Sequence, residues 1–210
     1  TKHKKMKKLI LVITAAAFVF ISCNSNSSNT EDHSKMNHND SMPMQDNAMA
    51  DKDVKMVAAT FSNVDPAVGA FIKSLVQNYI GVKNALTNSN EAEAAAASAK
   101  ITEAMKGFDK SLLTAEQKKV YDDIESDLKE HAEHIAKSKI DHQREHFSTM
   151  STDVYDLVKA FGAGMTLYHD HCPMANDNKG AMWLSESKDI RNPYFGEKMM
   201  TCGSVEEMFK

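Results

Sequence analysis

The chain has 210 residues, 25 basic and 29 acidic, for a formal charge of −4. An acidic balance without a Lys/Arg stripe makes a poor ligand for phosphate backbones, so no nucleic-acid partner is expected. The three cysteines include no Cys-x-x-Cys pair, which argues against a thiol oxidoreductase, and the lack of Cys-x-x-Cys-His excludes covalently attached haem.

In chain order, the first element is an export signal. Lys7 and Lys8 precede an apolar run from Leu9 to Ile21, too short to span a bilayer comfortably, which stops at Ser22-Cys23. A small residue directly before a cysteine at that point resembles the lipobox of bacterial lipoproteins. The resemblance implies a signal peptide over residues 1–22, acylation of Cys23, and a chain held by its lipid on the periplasmic side of a bacterial membrane. Loss of residues 1–22 removes five lysines and no acid, leaving 20 basic against 29 acidic side chains.

Residues 23–58 predict a disordered tether. They are rich in Asn, Ser, Asp, Met and His and too poor in branched apolar residues to offset the entropy of ordering. His33, Met36, His38, Met42 and Met44 lie close together there, and thioethers with imidazoles on a flexible chain suit Cu(I) or Ag(I).

From residue 59 the composition becomes that of a single domain. Asp65-Pro66 marks a helix start, followed at helical spacing by Phe71, Leu75, Val76, Tyr79, Val82 and Leu86. Asn90 with Glu93 reads as a capping box ahead of an alanine-rich second helix that ends near Gly107. Thr114 with Gln117 opens a third helix, with Val120, Ile124, Leu128, His131 and Ile135 on one face. Asp141 is placed to cap a fourth, whose stripe of Phe147, Met150, Val154, Leu157, Val158 and Phe161 runs to Gly162 and Gly164. The expected fold is mainly α: an antiparallel bundle of about four helices with a C-terminal irregular cap over residues 166–210. That cap includes short strands near Leu167 to Cys172 and Ala181 to Ser185.

Two sets of metal-ligating side chains stand out in the folded part. In the bundle, His131 and His134 are three apart, and His142 and His146 four apart, so each pair projects from one side of its helix. Such pairs either ligate a transition metal or serve as hydrogen-bonded core residues. In the cap, Cys172 is accompanied by His169, His171 and Met174, and Cys202 by Met199 and Met200. Two thiolates with a thioether or imidazole suit Cu(I) or Ag(I), and Zn(II) where imidazole dominates. Outside the cytoplasm, the same two cysteines also read as a disulfide. Its loop of about thirty residues would stabilise the fold by roughly 3 to 4 kcal/mol. The two states exclude each other.

The stretches Tyr168 to Met174, Gly180 to Glu186, Ile190 to Gly196 and Met199 to Gly203, with Asp141 to Phe147 upstream, together resemble an uncharacterised extracytoplasmic bacterial domain. That domain occurs as lipoproteins and fused to periplasmic adaptors of copper- and silver-type efflux pumps. The resemblance implies a helical domain tied to heavy-metal resistance. The expectation is a non-enzymatic, lipid-anchored metal-binding protein that sequesters Cu(I) or Ag(I) or hands it to an efflux adaptor. The competing expectation is a disulfide-stapled helical interaction module that docks on such an adaptor and binds no metal in its folded part.

Overall fold

The computed structural model describes residues 54–210. The expected signal peptide, the lipidation site Cys23 and the tether ligands His33, Met36, His38, Met42 and Met44 lie outside the described residues.

Four long helices carry the core: α1 (Pro66–Thr87), α2 (Glu91–Lys106), α3 (Ala115–Lys137) and α4 (Ile140–Phe161). Their starts follow from local chemistry. Asp65 accepts a hydrogen bond from the Ala67 N–H at 2.8 Å with Pro66 in the first turn, and Asn90 accepts from Glu93 N–H at 3.1 Å. At Thr114 both halves of the capping box form: its hydroxyl accepts from Gln117 N–H, and the Gln117 amide oxygen accepts from Thr114 N–H.

The fourth helix departs from expectation. It begins at Ile140, and its neighbour Lys139 makes no side-chain cap. Glu91, at the start of α2, instead accepts from the Ile140 N–H at 3.2 Å and pairs with Lys139 at 2.9 Å. Asp141 is therefore a first-turn residue rather than the cap, because a carboxylate from another helix already serves the orphan donor.

The links between helices are short, so successive helices run antiparallel, and α1 packs on α4 to close the bundle. The apolar stripes meet inside: Leu75, Val76, Tyr79, Leu128, Phe147, Met150 and Val154 are all fully buried. Tyr79 stacks on Phe147 with ring centroids 5.2 Å apart. Among the described residues, no helix is long and apolar enough to cross a bilayer.

The cap is a four-stranded sheet in the order β1 (Lys55–Val57), β4 (Ser204–Phe209), β2 (Leu167–Cys172), β3 (Ala181–Ser185). β2 and β3 are the two short strands expected from the sequence, and they pair antiparallel, whereas β1 and β4 add strands it does not suggest. Lys55–Val57 was expected in the tether; its pairing in parallel with Glu207–Phe209 supplies the backbone partners that its composition could not reveal.

Polar contacts line the edge of β3 that faces away from β2. The buried Tyr79 hydroxyl of α1 accepts from the Leu184 N–H at 3.0 Å and ties the cap to the bundle, while within the cap the Tyr194 hydroxyl donates to the Met182 carbonyl. These side chains occupy ladder groups that would otherwise leave β3 an open edge. Arg144 donates to the carbonyls of Pro193 and Leu86 at 2.9 and 3.1 Å, tying α4 to both the cap and the end of α1.

Candidate metal centre

The last turns of α3 and the first turns of α4 form the two walls of the site. Helical spacing sets His131 and His134 one turn apart on α3, and His142 and His146 one turn apart on α4. Only two residues separate the helices, so these turns lie side by side. Gln143, wholly buried, holds the hairpin closed by donating to the carbonyls of Ile135 at 3.0 Å and Glu91 at 3.1 Å. Ser98 on α2 donates to the Ala132 carbonyl at 2.8 Å and fixes the rear of α3.

The result is a continuous group of four imidazoles. His142 Nε2 and His146 Nε2 lie 3.0 Å apart, and the other nitrogen of His146, Nδ1, lies 2.9 Å from His131 Nδ1. His134 stacks on His146 with centroids 4.2 Å apart. Each of His134, His142 and His146 offers a ligand atom, all within 4.8 Å of one another, so this group can hold a metal ion. Two imidazole nitrogens bound tetrahedrally at 2.0–2.1 Å lie about 3.3 Å apart, close to the separation already present between His142 and His146. His134 and His142 are exposed, so closing the third ligand onto an ion requires only rotation of a surface side chain.

At His146 and His131 the electrostatics favour the neutral ring, the form that ligates. Burial lowers the pKa of His146, and the neighbouring His134, His142 and His131 lower it further. Burial likewise lowers that of His131, against the pull of Glu130 and Asp127. Glu145 Oε2 lies 2.7 Å from His142 Nδ1 and adds negative charge beside the site.

The expected ligands of the cap lie on different elements and on both faces of β2. Cys172 and Cys202 are joined as a disulfide, with Cα atoms 5.8 Å apart. Alternation along β2 sends His169 and His171 to the face opposite Asp170 and Cys172. His169 packs against the Tyr155 ring and lies 3.5 Å from Glu207; His171 lies over Gly180, 3.4 Å from Glu206. Met174 and Met199 line a cleft of about 660 Å³ between the cap and the Asp141–Glu145 side of α4. Met200 is half-buried in the loop that Asn192 holds by its backbone, the Asn192 N–H donating to the Met200 carbonyl at 2.8 Å.

Residues 75–166 match the model of a family described as "Protein of unknown function (DUF3347)". The matched segment runs from the middle of α1 to just before β2, so it contains all four histidines and ends ahead of both cysteines. No curated protein and no solved structure matches the chain.

Two features of the site carry little signal in the sequence. The one cue to Glu145 is its place three residues after His142, the helical spacing for a hydrogen-bonded partner. Gln143, an amide between two expected ligands, gave no signal of its burial.

Proposed function

We propose that the chain is an exported, lipid-anchored metal-binding protein that takes up a late transition-metal ion at His134, His142 and His146 and releases it to a heavy-metal efflux system. The observation that carries this reading is the approach of His142 Nε2 and His146 Nε2 to 3.0 Å on a hairpin whose turn is already pinned. Three imidazoles form a borderline donor set. It suits Cu(II) most strongly by the Irving–Williams order and Zn(II) next, while Cu(I) or Ag(I) is the natural cargo of the thioether-rich tether. Partly exposed ligands and an open coordination position suit exchange of the ion with a partner such as an efflux adaptor, and no catalytic step is assigned.

The test is titration of the full chain with Zn(II) and Cu(II) against a competing chelator, beside His142→Ala/His146→Ala. Tight binding of one ion that the double variant abolishes supports the proposal; equal binding by both proteins rejects it.

The Cys172–Cys202 disulfide favours a second reading, the stapled interaction module that docks on an adaptor without metal in its folded part. The two readings part on the titration: the module predicts no binding by the bundle histidines.

A further inference from the structure

The metal centre has a second layer that decides which nitrogen of each ring faces the ion. His142 and His146 meet through Nε2, and both have a hydrogen-bond partner in place at the opposite nitrogen: Glu145 Oε2 at 2.7 Å from His142 Nδ1, and His131 Nδ1 at 2.9 Å from His146 Nδ1. A neutral imidazole carries one N–H, so a ring that ligates through Nε2 must hold its proton on Nδ1 and donate it there. For His146 the only group at that position among the described residues is His131, whose own proton must then sit on Nε2. His131 also differs from His134 and His142 in place: it lies half-buried on the inward stripe of α3, between the buried Leu128 and Ile135, while those two are exposed.

We infer that His131 is not a fourth ligand but a positioning residue, the acceptor that fixes the His146 ring for ligation through Nε2, with Glu145 doing the same for His142. This rests on the metal-binding reading above and goes beyond it by dividing four histidines into three that touch the ion and one that aims another. Outer partners of this kind keep a ligand in one tautomer and ring orientation, and their loss weakens metal affinity without changing the ligand count.

The test uses the full chain and Zn(II) or Cu(II) alone. His131→Phe, which fills the same space without an acceptor, should weaken Zn(II) binding roughly 10- to 100-fold, and Glu145→Ala should act in the same direction. His131→Asn, whose amide oxygen can stand where Nδ1 stood, should recover affinity to within about threefold of wild type. Two further readouts are ones that a merely structural role would not move. X-ray absorption of the Zn(II) form and pulsed electron paramagnetic resonance of the Cu(II) form should count three imidazoles in both wild type and His131→Phe. The His146 Nδ1–H proton resonance of the Zn(II) form should be visible and slowly exchanging in wild type and lost in His131→Phe. Four imidazoles in wild type, unchanged affinity in His131→Phe, or an Asn variant as weak as the Phe variant overturns the inference while the metal reading stands. Failure of the wild-type chain to bind either ion overturns both.

Discussion

The α3–α4 hairpin and strand β2 both carry closely spaced histidines, yet among the described residues only the hairpin gathers them into a group that can hold a metal ion. In a helix, residues three or four apart share a side, and two antiparallel helices joined by a two-residue link bring both sides together. In a strand, neighbours alternate, so His169 and His171 leave Cys172 on the other face and each finds its own carboxylate. The density of ligating residues along the sequence is therefore a poorer guide than the period of the element that carries them. The same difference separates what the two regions do for the molecule: the cap contributes a covalent staple, and the hairpin contributes a cluster of imidazoles.

Breaking that division should begin with the staple. Cys172→Ser/Cys202→Ser should lower unfolding stability by roughly 3 to 4 kcal/mol, read from denaturant midpoints. Its Zn(II) affinity should stay within about threefold of wild type, because the disulfide and the hairpin share no partners. The converse change should leave the fold and remove the site: His142→Ala/His146→Ala should weaken Zn(II) binding by at least about 100-fold, with a stability change within roughly 1 kcal/mol of wild type without metal.

A third change sharpens the contrast through pH. Burial raises the Asp170 carboxyl on β2 from 3.8 to about 8 against the opposing pull of the Lys83 ammonium. Between those values the folded chain holds a proton that the unfolded chain has released, so stability falls as pH rises across that window. Asp170→Asn removes the slope, and thermal melts should show it gaining on wild type steadily from pH 5 to pH 8, by on the order of a few kcal/mol. The smallest effect belongs to helix capping: Thr114→Ala removes one half of the box at the start of α3 and should lower stability by about 1 kcal/mol without altering metal binding.

Much of the bundle could be read in advance because helix caps and apolar stripes are local signals. Asp65, Asn90 and Thr114 each start a helix as their side chains suggest, and Leu167–Cys172 and Ala181–Ser185 are strands as their alternation and flanking glycines suggest. What stayed hidden depends on partners distant in sequence. The α4 start is served by Glu91, nearly fifty residues upstream, and β1 is ordered by β4, about 150 residues downstream. For the site, the spacing of His131, His134, His142 and His146 was visible, but not that the hairpin turn aims two Nε2 atoms at each other, because that depends on the buried Gln143. Conversely, the clustering of Cys, Met and His around residues 169–174 and 199–202 suggested one site, and strand alternation together with the disulfide divides it.

The central claim is tested most directly by counting the imidazoles on Zn(II) bound to the full chain with its disulfide intact, using X-ray absorption alongside a chelator-competition titration. The account predicts one ion per chain, bound through three imidazoles with no sulfur ligand, and lost in His142→Ala/His146→Ala. A sulfur-containing first coordination sphere, or binding that survives the loss of both histidines, would contradict it.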